Sequence, residues 1–280
     1  MYETIGNLPP LKDVIARHQL SAHKSLGQNF LLDLNITDKI VRLAGDIEGL
    51  TVCEVGPGPG GLTRSILMAG AERVLAVEFD MRAVMALKEL QDASEGRLNI
   101  IHGDALEADF TMLAESPRAI IANLPYNIAT PLLVRWLRQI RHVSNAYRSM
   151  TLMFQKEVAE RITSGPGCRA YGRLSILAGW LCDAQIVYTL PPGAFTPPPK
   201  VESCVVHFRP KMLSGLQPDF DAVQTLTGLA FSQRRKMIRG PLKAYLPILE
   251  KLGIDPTRRA EELSVEDYLN IAKNATQKGF

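Results

Sequence analysis

Apolar and polar positions set up an alternation of short strands and helices over the first two thirds of the chain. Thr51–Val55 is a compact apolar run that stops at a glycine-rich turn, and Leu62–Ala69 then places apolar residues at helical spacing. The order repeats with Arg73–Glu78 as a strand, Met81–Gln91 as a helix, and Leu98–His102 and Arg118–Ala122 as further strands. Pro131–Arg138 and Gln155–Ile162 have helical spacing on either side of the apolar strand Met150–Phe154, and Ala184–Leu190 and Ser203–Phe208 are two more strand-like runs. This alternation predicts βαβ units and a seven-stranded, mostly parallel sheet. Between the last two runs lies Pro191–Pro199, whose prolines forbid a helix and predict an extended loop. Beyond Pro210 the alternation ends. Asp221–Ser232, Gly240–Leu252 and Val265–Ala275 are predicted helices, with Gly253 and Pro256 as breaks. The predicted organisation is an α/β domain over residues 1–209 and a helical domain over 210–280.

Composition narrows the class. A hydrophobic content of 46% in 280 residues supports a sizeable core. No apolar run approaches the roughly 20 residues of a membrane span, and Met1–Lys12 lacks the basic start and apolar stretch of a secretory signal. Glu3 and Asp13 argue against an acid-poor transit peptide. Cys53, Cys168, Cys182 and Cys204 form no CxxC pair and match no zinc spacing, so reduced cytosolic thiols and no metal site are expected. Charge is unevenly distributed. Residues 42–120 carry 7 Lys/Arg against 13 Asp/Glu, whereas residues 121–280 carry 21 against 12. A basic second half suits a polyanionic partner, nucleic acid first, although solvated surface charge would produce the same excess.

The turn Gly56-Pro57-Gly58-Pro59-Gly60-Gly61 follows a strand and opens a helix. Glycines at this place let the backbone turn sharply and approach a ligand, with Gly56 and Gly58 nearest to it. The pattern fits G-x-G-x-G and also the dinucleotide fingerprint. Glu78 ends the second strand, 22 residues after Gly56, where a carboxylate grips ribose hydroxyls. Asp104 follows the third strand, placed to accept a hydrogen bond from an exocyclic adenine amine. Each acid taken alone also reads as a loop carboxylate or helix cap. Their shared sheet edge favours an adenosine-bearing cofactor.

Asn123-Leu124-Pro125-Tyr126 follows the fourth strand and resembles the N/D-P/L-P-Y/F motif of methyltransferases acting on exocyclic amino nitrogens. The adenine N6 lone pair is delocalised and a poor nucleophile. Asn123 Oδ1 and the Leu124 carbonyl can each accept one N6–H, favouring a pyramidal nitrogen whose lone pair points at a methyl donor. Pro125 stiffens the loop, and Tyr126 offers a face for a base taken out of its stack. No general base is required, because the amine can lose its proton to water after transfer.

With these motifs placed, residues 21–270 resemble the ribosomal RNA adenine N6-dimethyltransferase family of the kasugamycin-sensitivity type. The match begins at His23-Lys24-Ser25-Leu26-Gly27-Gln28-Asn29-Phe30-Leu31 and includes Phe195-Thr196-Pro197-Pro198-Pro199-Lys200-Val201-Glu202-Ser203, Tyr171–Ser175 and Phe231–Lys236. The resemblance implies a Rossmann-like S-adenosylmethionine-dependent methyltransferase sheet with a small C-terminal helical domain. It assigns Asn29, Leu31, Gly56, Glu78, Asp104 and Asn123 to S-adenosylmethionine, and Phe195 to stacking the target adenine opposite Tyr126. Arg234, Arg235 and Lys236 are expected to contact rRNA. They lie in residues 231–259, which hold 8 basic against 2 acidic residues. One departure is Ala129, where relatives often carry serine. The implied reaction is dimethylation of N6 on two adjacent adenosines near the 3′ end of small-subunit (16S) rRNA, in the cytoplasm, on an assembling 30S particle. Neither a membrane nor a metal is implied, and no oligomer is required. Three alternatives stay open here: a large-subunit rRNA adenine methyltransferase, a non-enzymatic RNA-binding assembly or transcription factor, and an NAD-dependent oxidoreductase.

Overall fold

The computed structural model describes residues 5–20, 29–143 and 145–276. Nine strands are found among them: β1 (Phe30–Leu31), β2 (Thr51–Val55), β3 (Arg73–Glu78), β4 (Leu98–His102), β5 (Arg118–Ala122), β6 (Ser149–Gln155), β7 (Cys182–Leu190), β8 (Phe195–Thr196) and β9 (Ser203–Pro210). Seven form one sheet in the order β4-β3-β2-β5-β6-β9-β7. The pairs β2–β3, β3–β4, β2–β5 and β5–β6 are parallel, and β9 runs antiparallel to β6. This is the predicted α/β class. All five residues of β2 and of β5 are buried, as expected for parallel strands covered on both faces, which read as continuous apolar runs. From β2 the chain proceeds to β3 and β4 on one side, then returns to β5 on the other. The crevice outside the carboxyl ends at this switch point is where open α/β sheets bind ligands.

The chain forms two compact units: Met1–Lys156 with Gln185–Arg209, and Glu157–Ala184 with Pro210–Phe280. The predicted boundary at 209/210 therefore needs correction, because residues 157–184 group with the C-terminal segment. Within that second unit the helix Arg173–Leu181 buries Ile176, Leu177, Ala178, Trp180 and Leu181. Trp180 stacks on Phe220 at 6.0 Å between centroids, and Phe231 lies between Tyr171 and Tyr268. A helix apolar on most sides lacks the one-faced periodicity that reveals helices, so its sequence does not announce it.

Other elements differ in detail. The helix predicted over 81–91 is two short ones, Met81–Ala86 and Lys88–Ala93. The helix predicted from Pro131 begins at Tyr126, directly after the tetrapeptide's proline, and carries Pro131 inside it. The helix predicted over 240–252 shrinks to a 3-10 turn and Leu246–Lys251. Upstream of it, the backbone N–H groups of Ile238 and Arg239 bond to the carbonyls of Arg258 and Pro256. The proline loop holds one 3-10 turn, Pro192–Ala194, and β8, which pairs antiparallel with β1 (Phe30↔Thr196, Leu31↔Phe195). Among the described residues no helix is long and apolar enough to cross a membrane, and no group of three His, Cys, Asp or Glu could hold a metal ion.

Candidate active site

A single cavity opens at the carboxyl ends of the central strands. Gly56 and Gly58 reach it from the turn after β2, Glu78 and Phe79 from the end of β3, Asp104 from beyond β4, and Asn123, Leu124 and Pro125 from beyond β5. Asn29, Phe30 and Leu31 complete the wall. The seven residues expected to contact the cofactor thus line one cavity, though they span nearly a hundred positions in sequence. Residues 23–28 of the N-terminal motif lie outside the described residues.

The glycine turn is tightly fitted. Gly58 has φ +54°, and a Cβ there would sit 2.9 Å from the Phe30 ring. Its backbone N–H donates to Glu78 Oε2 at 3.1 Å, and Asp80 N–H donates to Glu78 Oε1 at 2.8 Å. Glu78 is only 4% exposed. Burial pushes its pKa up, while the N–H donors at Asp80, Gly58 and Phe79 oppose the shift. A carboxylate has about four lone-pair sites, so these backbone donors still leave acceptor capacity for a hydroxyl.

Glu54, in β2, also lines the cavity and is missed by motif spacing, since it reads as part of an apolar strand. It is buried and accepts a hydrogen bond from Thr63 Oγ1 at 2.7 Å. Burial raises its pKa to about 8, with the neighbouring Glu78 adding to the rise. A folded pKa above the unfolded value stabilises the fold at acid pH and withdraws that stability as pH rises. Glu54 is therefore expected to make the unliganded protein lose stability between about pH 4.5 and 8. Denaturant melts of Glu54→Gln over that range should show a shallower pH slope; an unchanged slope would refute this.

Asn123 is oriented by the chain itself. Its Nδ2 donates to the Asn29 carbonyl at 2.9 Å, which leaves Oδ1 as the acceptor end of the amide. Tyr126 is half-buried, and its hydroxyl shares a 2.5 Å hydrogen bond with the buried Ser203 Oγ at the start of β9. Burial raises the Tyr126 pKa, so it remains a neutral phenol. Asp104 lines the cavity and caps its own loop through Leu106 N–H at 2.8 Å.

Two expectations are corrected. Neither Tyr126 nor Phe195 lines the cavity, and Phe195 is the more deeply buried of the two. Its ring is 3% exposed within the hydrophobic core, because its backbone pairs with Leu31 and turns the side chain inward. In the second unit, Arg234 is half-buried, its Nε bonds to Glu261 at 2.8 Å, and its Nη2 bonds to the Arg169 carbonyl. Arg234 therefore serves the fold there, while Arg235 and Lys236 are exposed. Besides Glu54, reading the sequence missed Phe30 and Phe79, both of which line the cavity. Phe79 is 61% exposed, an apolar side chain at the mouth that periodicity would assign to an ordinary strand end.

Comparison with known proteins agrees with this geometry. The model of the family described as ribosomal RNA adenine dimethylase matches residues 19–277. The chain is 53% identical over 274 residues to the ribosomal RNA small subunit methyltransferase A of Ruegeria sp. (strain TM1040), covering 96% of this chain and 98% of that one. It is 54% identical over 273 residues to the protein of the same name from Dinoroseobacter shibae, covering 96% and 97%. Among solved structures, a dimethyladenosine transferase from Plasmodium falciparum superposes with a TM-score of 0.75 at 27% identity, over 89% of this chain and 98% of that one. The 23S rRNA methyltransferase ErmE shares the fold, with a TM-score of 0.65 at 24% identity over 89% and 100%.

Proposed function

The chain belongs to the ribosomal RNA adenine dimethylase family, and on that premise we propose that its S-adenosylmethionine-dependent methylation of adenine N6 falls on two adjacent adenosines near the 3′ end of small-subunit (16S) rRNA. The work is done in the cytoplasm on an assembling 30S particle, by a chain that needs neither a metal nor a second copy. The observation that carries the reading is the Asn123 amide, held at the cavity by the Asn29 carbonyl with its oxygen left to accept.

The wall suits an adenosine-bearing cofactor. Two carboxyl groups, Glu54 and Glu78, are buried in it, and the backbone at Gly58 leaves room that a Cβ would fill. Glu78 would hold ribose hydroxyls with its remaining lone pairs, Asp104 would accept from the adenine amine, and Phe79 would cover an apolar face. When bound, S-adenosylmethionine supplies an electrophilic methyl group on its sulfonium. The protein's task is then to present N6 correctly. Asn123 Oδ1 and the Leu124 carbonyl accept the two N6–H groups and draw the nitrogen toward pyramidal geometry. Tyr126 supplies a stacking face, worth about 1–3 kcal/mol per base. Neither Tyr126 nor Phe195 lines the cofactor cavity, and Tyr126 is the proposed face because it is the less buried of the two.

In the helical unit, Arg235 and Lys236 are the exposed residues of Arg234–Lys236, and they are proposed as phosphate contacts. Replacing both with alanine should weaken subunit binding and flatten its salt dependence, because fewer counterions are released. Arg234→Ala should instead lower thermal stability with little change in salt slope, since it breaks the contacts with Glu261 and Arg169. Filter binding across a salt series and thermal melts check both outcomes; an unchanged slope in the double variant would remove this surface from the account.

The reading is tested by offering labelled S-adenosylmethionine with under-methylated small subunits and, separately, with large subunits. Label in the small subunit alone supports it. Label in the large subunit alone would transfer the chain to the large-subunit branch of the fold, and no label would leave a binding role only.

A further inference from the structure

Residues 5–20 lie almost wholly ahead of the family match, which begins at residue 19, and they pack against the backs of the elements that shape the cofactor cavity. They contain the helix Leu11–Arg17, with Ile5, Leu11, Val14 and Leu20 buried. Two sets of contacts tie this segment down, one on each side of the glycine turn.

The first set meets the helix Gly61–Met68, which the turn opens. A Cβ on Gly61 would sit 2.9 Å from Leu11 Cδ1 and 2.8 Å from the Leu31 carbonyl oxygen. Leu11 thus presses the first residue of the helix against the strand that lines the cavity. One turn further, Arg64 is 6% exposed, and its Nη1 donates to the Pro9 carbonyl at 2.8 Å. Its Nε has no hydrogen-bond partner, so the guanidinium is poorly compensated and the Pro9 contact matters more to it.

The second set meets the helix Met81–Ala86, which follows Glu78. Val14 and Leu20 pack with Ala83 and Ala86, joined by Ile15. The Gln19 carbonyl accepts from Arg82 Nη1 at 3.4 Å, and Arg82 pairs with Asp80 at 2.6 Å. Asp80 in turn donates its N–H to Glu78, the carboxylate that also holds Gly58. An exposed ion pair, Arg17–Glu89 at 2.5 Å, closes the far end.

We propose that this N-terminal strap is a positioning element for cofactor binding, in which Leu11, and the Pro9 carbonyl acting through Arg64, hold the glycine turn, and Val14, Gln19 and Leu20 hold the helix after Glu78, without touching the cofactor. The inference rests on the methyltransferase reading above and deepens it. Glycine has more backbone freedom to lose than other residues, so a glycine turn loses order when its support is removed. The cofactor must then bear the cost of re-ordering it, which weakens binding. Presentation of the target amine depends on Asn123 and Tyr126, which lie outside these two sets of contacts. The strap should therefore govern affinity for cofactor rather than the rate at saturation.

The test uses the full chain. Leu11→Ala should raise KM for S-adenosylmethionine and the dissociation constant for S-adenosylhomocysteine about tenfold, with kcat at saturating cofactor and KM for small subunits little changed. Leu11→Met, which refills the space, should restore wild-type values. Arg17→Ala, at a solvent-screened pair, should change neither. Leu226→Ala, which empties a buried position in the helical unit, controls for stability, lowering Tm without moving cofactor affinity. Should Leu11→Ala not fold, Leu11→Val is measured in the same way with a smaller expected shift. Unchanged cofactor affinity in the folded Leu11 variant, or an equal loss in Leu226→Ala, overturns the proposal. A wild-type chain that fails to bind S-adenosylhomocysteine would instead count against the methyltransferase reading on which it rests.

Discussion

Replacing Asn123 with alanine is expected to lower single-turnover methyl transfer by about 10²–10³, while subunit binding stays near wild type. In the proposed mechanism the amide oxygen accepts an N6–H bond that strengthens as the nitrogen pyramidalises, and an interaction stronger in the transition state affects turnover more than affinity. Losing one preorganised partner of this kind costs about 2.7–4 kcal/mol, by analogy with an oxyanion-hole donor. The structure adds a second effect. Asn123 Nδ2 is bonded to the Asn29 carbonyl, so alanine also frees a cavity-wall residue. Asn123→Asp separates the two. It keeps an acceptor oxygen but loses the donor to Asn29, so it should retain more transfer than alanine while binding cofactor less well. Rapid-quench single-turnover assays with subunit filter binding check this, and near-normal transfer by Asn123→Ala would remove the tetrapeptide from the chemistry.

Glu78→Ala is expected to weaken S-adenosylhomocysteine binding by about 1.5–3 kcal/mol, the range for hydrogen bonds to a charged group, or roughly 10–150-fold. It should also destabilise the unliganded protein by about 1–3 kcal/mol, because the buried N–H groups of Gly58 and Asp80 lose their acceptor. A solvent-facing carboxylate would have predicted a binding loss alone; the 4% exposure of Glu78 couples the two. Glu78→Gln, which keeps one acceptor oxygen, should fall between. Calorimetry and denaturant melts on the same samples decide it. A binding loss with no stability loss would show that the turn does not depend on this brace.

These two residues also show how much was legible in the sequence. Glu78 and Asn123 could be placed because strand ends in a parallel sheet converge on one edge, and turn chemistry marks those ends. The strands β2, β3, β5 and β6 could be placed because buried apolar runs leave few other options. What escaped depends on contacts distant in sequence. Phe195 reads as an aromatic wall until its strand pairs with Leu31 and turns the ring into the core. Glu54 reads as one polar residue in an apolar strand, and only burial beside Glu78 reveals a neutral acid in the cavity wall. Arg234 reads as one of three equivalent cations until Glu261 and the Arg169 carbonyl engage it. The helix Arg173–Leu181 and the regrouping of residues 157–184 escaped because an element buried on most sides shows no amphipathic period.

The central claim is that this chain dimethylates adenine N6 on small-subunit rRNA, and nucleoside mass spectrometry of that rRNA tests it most directly. Under-methylated small subunits are incubated with the full chain and S-adenosylmethionine, and the rRNA is digested, mapped and quantified. The account predicts N6,N6-dimethyladenosine at two adjacent positions near the 3′ end, strongly reduced with Asn123→Ala. Methylation of another atom or another nucleotide, or small-subunit rRNA left unmodified by a chain that binds S-adenosylhomocysteine normally, would contradict it.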